Sequence, residues 1–267
     1  MQPSTFVSDR KKKRRQRRKY LFSVLAIIAI YLFLYAFQWF IFSSPFLGVN
    51  HIVVQGNSSV SSGDIELLVE ANALHNHDLF PAVFGFNNML TWPDQVVSSD
   101  LKVIPQLESL SISKDYFTHT ITINVSERIP FGIWCFSLNS ECYWFDNTGI
   151  MFERSLDTQG DIIFDVQDHS QTPKGLNQAI LPDEFVPNFI SIMNVLRQTG
   201  LGVQEIDLND LALEQVDALT TNGPSLYFSL RFSADDYLEY IQKLMLEPSF
   251  NKIQYIDCTT QDRIYYK

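Results

Sequence analysis

From Leu21 to Phe42 the chain runs for 22 residues without a charge, and Ser23 and Gln38 are the polar residues other than tyrosine and tryptophan within it. As an α-helix this stretch is about 33 Å long, enough to cross a hydrocarbon core of about 30 Å. The residues before it narrow the reading further. Nine of the ten residues from Arg10 to Lys19 are Lys or Arg, directly abutting the apolar run. Alone, such a block resembles a nuclear signal or a nucleic-acid arm. Beside an apolar segment of this length it fixes membrane topology instead, keeping the amino terminus in the cytoplasm. The run is too long for a signal-peptide core and no Ala-x-Ala cleavage pattern follows, so an uncleaved anchor is expected rather than a buried core helix. Tyr20, Tyr31, Tyr35 and Trp39 add aromatic rings, several near the ends where they favour the interface.

Charge separates the two sides of this anchor. The chain has 20 Lys and Arg against 30 Asp and Glu. With nine cations and Asp9 ahead of the anchor, 11 basic residues stand against 29 acidic ones from Ser43 onward, a formal charge of −18. That balance argues against nucleic acid and anionic lipid as ligands of the exported part. The basic tail, by contrast, is drawn to anionic headgroups, at about 1 kcal/mol per cation near the surface. Membrane lipid is therefore expected at the anchor and tail, and nucleic acid nowhere.

The exported part alternates between strand and helix patterns. Val49–Gln55 alternates as a strand and stops at Gly56-Asn57, a turn signal. Ser61 or Ser62 caps a helix through Asp64-Ile65-Glu66-Leu67-Leu68-Val69. Trp92-Pro93 to Ile104 carries apolar residues at Val96, Val97, Leu101 and Ile104 and predicts a second helix, after a long aromatic loop over 72–89. Leu107–Ser113 and Thr118–Val125 alternate around Lys114-Asp115-Tyr116 as a hairpin. This first group makes a small α+β unit. After Glu127-Arg128-Ile129-Pro130, strands are expected at Phe131–Phe136, Cys142–Phe145, Ile150–Phe152, Ile162–Val166, Val203–Leu208, Ser225–Phe232, Lys252–Ile256 and Arg263–Tyr266. Gln167–Lys174 reads as loop, and helices are expected at Asp183–Gln198 and Ala234–Leu246. The fold class is thus α+β: a basic cytoplasmic tail (1–20), a transmembrane helix (21–42), an α+β domain (46–127) and a second β-rich domain with an antiparallel sheet and flanking helices (128–267).

Cys135 and Cys142 bracket a short turn-forming segment, and two readings are open for them. One is a disulfide across a hairpin, which suits an oxidising compartment. The other is half of a metal site, which needs a second Cys/His pair that the sequence does not supply at ligand spacing. Cys258 is expected as a buried free thiol. The five histidines are scattered. The one close pair, His75-x-His77 with Asp78, lies in a predicted loop and reads as exposed polar residues rather than as a metal site. No phosphate-cradling glycine loop, His-Glu-x-x-His or Gly-x-Ser-x-Gly occurs. No enzyme activity, metal or cofactor is expected.

Several fragments, in order behind the anchor, resemble the FtsQ/DivIB family of bacterial cell-division proteins. They are Val49-x-x-Ile52-x-Val54-x-Gly56-Asn57 before the Asp64-Ile65 helix, Ile123-x-Val125-x-Glu127-Arg128-x-Pro130, Trp144-x-Asp146-x-x-Gly149-x-x-Phe152, and Ile256-Asp257 ahead of Asp262-Arg263-Ile264-Tyr265-Tyr266-Lys267. The chain departs from the family at Tyr116-Phe117-Thr118, where a proline is common, and after Ile256-Asp257, where an arginine is. The resemblance implies that residues 46–127 form a POTRA domain and that the protein is a non-catalytic scaffold at the division septum of the plasma or inner membrane. It implies partners among small bitopic coiled-coil proteins of the FtsB/FtsL type, received by β-strand addition. Arg263, Ile264, Tyr265, Tyr266 and Lys267 are the expected partner-binding edge, with Tyr265 and Tyr266 either anchoring the partner or packing in the core, one of the two facing inward by alternation. The competing functions are a membrane-anchored cell-wall enzyme with a carboxylate site and a POTRA module serving transport.

Overall fold

The computed structural model describes residues 5–43, 45–75, 85–155, 164–221 and 223–267. The protein opens with a 39-residue helix, α1 (Thr5–Ser43). Its segment Arg17–Phe40 is long and apolar enough to cross a membrane and none of it is buried within the chain. Ser23, the one hydroxyl residue of the anchor that is not aromatic, returns its Oγ–H to the Lys19 carbonyl one turn back at 3.0 Å and so leaves no unmet donor in an apolar setting. Beyond α1 the body is mixed α+β and divides into two compact units. The first comprises Met1–Gln55, Gly63–Gln95 and Ser111–Asn124, the second Gly56–Ser62, Val96–Leu110 and Val125–Lys267.

A three-stranded sheet has the order β1 (His51–Gln55), β3 (Thr120–Glu127), β2 (Leu107–Asp115). β1 runs parallel to β3, with His51 opposite Thr120 and Gln55 opposite Asn124. A parallel pair needs a crossover, and α2 (Ser62–His75) lies within it, burying Ile65, Leu68, Val69 and Ala73. The alternation along β3 is the expected one, with Ile121, Ile123 and Val125 all buried. The hairpin strands extend further than their apolar pattern, to Asp115 and Glu127, around a tip at which His119 takes φ +56°.

The helix expected from Trp92 to Ile104 does not form. A 3-10 turn, Met89–Thr91, precedes this stretch, and within it a single helical turn forms, α3 (Ser98–Leu101). Gln95 bridges antiparallel to Ser111, which commits this stretch to extended backbone until Ser98. Trp92 sits at φ −76°, ψ 132°, and its indole N–H donates to the Phe86 carbonyl at 3.0 Å. Val97 is also extended and offers α3 no side-chain cap. The expected loop over 72–89 includes 76–84, which lie outside the described residues, as do His77 and Asp78; His75 closes α2.

In the second unit nine strands form one sheet. In chain order they are β4 (Gly132–Phe136), β5 (Glu141–Phe145), β6 (Met151–Ser155), β7 (Asp165–Asp168), β8 (Val203–Leu208), β9 (Gln215–Thr220), β10 (Ser225–Ser229), β11 (Tyr255–Cys258) and β12 (Tyr265–Tyr266). Their spatial order is β12-β11-β10-β9-β8-β7-β4-β5-β6. The sheet is mixed, not purely antiparallel as expected, since β4–β7, β7–β8 and β10–β11 are parallel pairs. Helices α4 (Val186–Thr199) and α5 (Tyr237–Met245) pack on its core. Pro187 pre-sets the first turn of α4 and Gly200, at φ +67°, ends it, so the helix starts later than the Asp183 expected from pattern. Phe189 of α4 meets Trp134 edge-on at 5.3 Å and Phe145 at 6.2 Å, all three fully buried. Each such ring is worth about 1.5–3 kcal/mol in burial alone.

Other strand limits move for identifiable reasons. The strand expected at Ile162–Val166 is β7, which takes Gln167 and Asp168 from the expected loop; 162 and 163 lie outside the described residues. Asp168 tolerates full burial because it accepts from the Trp134 indole at 3.3 Å, from the backbone N–H groups of Ser170 and Gln171 at 2.9 and 3.0 Å, and from the Gln171 amide at 2.6 Å. β9 was not expected. Only alternate residues of it, Val216 and Ala218, are fully buried. The strand expected at Lys252–Ile256 begins later, because Phe250–Lys252 forms a 3-10 turn.

Glu127 and Arg128 each close a local structure in this unit. The Glu127 carboxylate accepts backbone N–H bonds from Ser58 (2.8 Å), Ser59 (3.0 Å) and Val60 (3.0 Å), and hydroxyls from Ser58 and Ser59. Desolvation pushes its pKa up, but these hydrogen bonds, Ser59's foremost, outweigh it and hold the group at about 2. Arg128 pairs with Asp146, which is 3% exposed, and donates from Nε to the Pro105 carbonyl at 3.2 Å. Gly56 has no substitute here: its φ is +87° and a Cβ would stand 2.1 Å from the Val125 carbonyl oxygen.

Candidate partner-binding edge

β12 is the last strand of the nine-stranded order, so among the described residues one side of it is paired and the other is not. On the paired side Tyr266 stands opposite Ile256 and Tyr265 opposite Asp257 of β11. The Lys267 N–H donates to the Tyr255 carbonyl at 3.3 Å and its carbonyl accepts from Gln254 at 2.6 Å. Alternation along an antiparallel strand then turns the N–H and C=O of Tyr266 away from β11, toward the open side.

Three contacts hold the turn that delivers β12. Asp257 accepts from the Thr259 N–H and hydroxyl at 2.9 and 2.6 Å, the Arg263 N–H donates to Thr260 at 3.2 Å, and the Tyr237 hydroxyl of α5 donates to the Thr260 carbonyl at 2.9 Å. Asp262 takes φ +60° in this turn.

The side chains of the expected site do not alternate in and out as anticipated. Both tyrosines are exposed, Tyr265 at 48% and Tyr266 at 54%, and neither enters the core. Ile264 is the inward residue, half-buried against the main core. The strand is only two residues long in place of Arg263–Tyr266, and that brevity leaves Tyr266 at the surface. Arg263 is engaged by a hydrogen bond to Tyr265, which raises its pKa.

Beside this edge lies a hollow of about 620 Å³ that the sequence did not reveal. Ile264 and Tyr266 line one side, and Asp236, Glu239, Tyr240, Lys243 and Glu247 from α5 and its flanks line another. Lys243 pairs with Glu239 at 2.6 Å, one helical turn away, and lies 5.7 Å from the centre of the Tyr240 ring. The pair lowers the pKa of Glu239 and raises that of Lys243, through the hydrogen bond first and then charge. Asp236, Glu247 and Asp262 leave the hollow acidic on balance. The signal for it lay in the amphipathic stripe of α5, whose buried Tyr237 and Ile241 leave Tyr240 58% exposed.

The opposite edge, β6, is built differently. Glu153 and Arg154 are exposed on it, Arg154 lies 3.4 Å from Glu141 of β5, and the β5–β6 register shifts between Trp144 and Phe145. Charges and an irregularity of this kind are the usual means of blunting an edge against strand addition. On the neighbouring pair β4–β5, Cys135 stands opposite Cys142 and the two are joined as a disulfide. Cys258 is a buried free thiol whose pKa is pushed up to about 12, by burial first and then by Asp257.

No family model matches this chain. A curated protein described as cell division protein FtsQ, from Geobacter sp. (strain M21), is 24% identical over 194 residues, or 65% of this chain and 66% of that protein. The match therefore spans just under two thirds of the relative. Together with the N-terminal apolar helix, this similarity fits an FtsQ-like single-pass α+β membrane protein.

Proposed function

We propose that the chain is a non-catalytic scaffold of the bacterial division machinery that uses β12 to recruit bitopic coiled-coil partners of the FtsB/FtsL type at the septum. The observation that carries this reading is the open side of β12, with the backbone groups of Tyr266 turned outward and two half-exposed tyrosines beside them. A partner strand completes such an edge by main-chain hydrogen bonding, while aromatic side chains supply contact area at low entropic cost. In this reading the basic tail lies in the cytoplasm, the chain that follows α1 lies beyond the membrane, and the sheet β1-β3-β2 with α2 is a POTRA-like docking unit.

The test is made in the dividing host, by imaging the tagged full-length chain while the untagged copy is depleted. Septal foci, with filamentation rescued by the wild type and not by a Tyr265→Ala/Tyr266→Ala variant that still reaches the membrane, are the expected result. A uniform membrane signal with normal division on depletion would remove the scaffold reading. Septal foci with full rescue by the double variant would retain the division role and move the partner site away from β12.

A further inference from the structure

Three separate pieces of the first unit meet around Gly48. The Gly48 backbone bridges to Asn88, the neighbouring Val49 N–H donates to the Asn87 carbonyl at 2.9 Å, and the Gly48 carbonyl lies 3.1 Å from Nδ1 of His119 at the hairpin tip. The Asn50 and His51 N–H groups donate to the His119 carbonyl at 2.8 and 3.2 Å, so the tip is tied to the start of β1 by its main chain. Two residues from each member of this junction stands an exposed apolar side chain. Phe46 is 54% exposed, Leu90 41% and Phe117 90%. The Phe46 ring also meets the His119 ring edge-on at 6.4 Å.

A phenylalanine left 90% in water at a hairpin tip is held there by design of the turn. The Asp115 carboxylate accepts from the Phe117 and Thr118 N–H groups at 2.9 and 3.2 Å, which holds the backbone of the turn that carries the ring and engages the tip's carboxylate internally. The junction is also close to the membrane anchor by chain length alone. α1 ends at Ser43, and two residues separate it from Phe46, a reach of at most about 11 Å over three Cα steps. An apolar cluster this near the end of a spanning helix faces the headgroup and upper acyl region, where aromatic rings are favoured.

We propose that Phe46, Leu90 and Phe117 form an apolar foot that dips into the outer interface of the bilayer and fixes the stance of the first unit on the membrane. The foot rests on the reading of α1 as a membrane-spanning helix. It is distinct from β12 and needs no protein partner, because continuity with the anchor supplies the occupant.

The test places a nitroxide label at single positions of the full-length chain in vesicles of phosphatidylethanolamine and phosphatidylglycerol. Power saturation then compares access of oxygen, which concentrates in lipid, with access of a water-soluble nickel chelate. Phe117→Cys carries the probe, Leu32→Cys reports the middle of α1, and Gln55→Cys reports the exposed far end of β1, seven residues beyond Gly48. Cys258 is buried and the other two cysteines are bonded, so the native background is low. The expected result is an oxygen-to-nickel ratio at 117 at least about threefold above that at 55, approaching interfacial values, with 32 higher still. Equal ratios at 117 and 55, with 32 in lipid, would overturn the foot and leave the anchor. Aqueous behaviour at 32 would overturn the anchor and the foot with it.

Discussion

At one end of the nine-stranded sheet, β6 carries five residues, two exposed charges and a register irregularity against β5; at the other, β12 carries two residues and two exposed tyrosines. Each edge has a hollow beside it. That near β6 measures about 520 Å³ and is lined by Glu127 and Glu153 among others, with the Ser58-Ser59 turn clamped across it; that near β12 is larger and open to Tyr266. One sheet thus ends in exposed charges and an irregularity on one side and in a short, tyrosine-bearing strand on the other. Burial does not make this difference, since the same core underlies both halves. It comes from which side chains occupy the last strand and from how long that strand is.

The comparison presupposes one cooperative sheet, and the largest expected effect tests that. Phe189→Ala opens space beneath Trp134 and Phe145 and is expected to lower unfolding stability by about 3–5 kcal/mol in a single urea transition. Separate melting of the β10–β12 half would break the comparison into two independent domains.

Next in size is Tyr266→Pro, which removes the outward N–H without touching the Lys267 bonds to β11. Binding of the purified ectodomain to an FtsB/FtsL-type partner, read by interferometry, is expected to weaken by roughly 100-fold with an unchanged far-UV spectrum. Retained affinity would show that the edge is not the contact.

Glu127→Gln sharpens the account of the protected side. The folded pKa of Glu127 is about 2, below its ordinary value of 4.5, so its contribution is present above about pH 4.5 and disappears as pH falls from there through 2. Allowing for solvent screening, the variant is expected to lose on the order of 1–2 kcal/mol at pH 7. Denaturation curves of the two proteins are expected to converge toward pH 2, and a gap that stayed constant with pH would refute the charge-based account.

Tyr237→Phe loses the bond to Thr260 and loosens the turn before β12. A cost of about 1 kcal/mol and a several-fold weaker partner affinity are expected, against no change in the exchange rates of β6 amides. The smallest effect on stability belongs to Glu153→Thr/Arg154→Thr, under about 1 kcal/mol, because Arg154 and Glu141 form an exposed pair. Sedimentation is expected to show new self-association of the ectodomain, and a strictly monomeric variant would mean that these charges do not guard the edge.

Local patterns served well wherever one face of an element alone is buried. Ile121, Ile123 and Val125 on β3, the helix through Ile65 to Val69, and the limits of β8 all follow from side-chain periodicity. Pattern failed where extended pairing competed, as at Gln95, or where a buried carboxylate carried its own hydrogen bonds, as at Asp168 in β7. The candidate edge was legible as a terminal strand with two tyrosines. Its hollow was not, since Tyr240 and Lys243 of one helix meet Tyr266, which lies more than 20 residues further along the chain.

What the sequence by itself determined is the part governed by solvent and by neighbours along the chain: a helix long enough for lipid, the block of cations beside it, and the alternation of the strands. The tertiary structure decided which strand ends the sheet, that both tyrosines of β12 stay outside while Ile264 turns in, and that Phe46, Leu90 and Phe117 gather at one junction. The physical reason is that exposure of a side chain belongs to its surroundings. A two-residue strand and a tied hairpin tip set those surroundings through hydrogen bonds to residues far away in the chain.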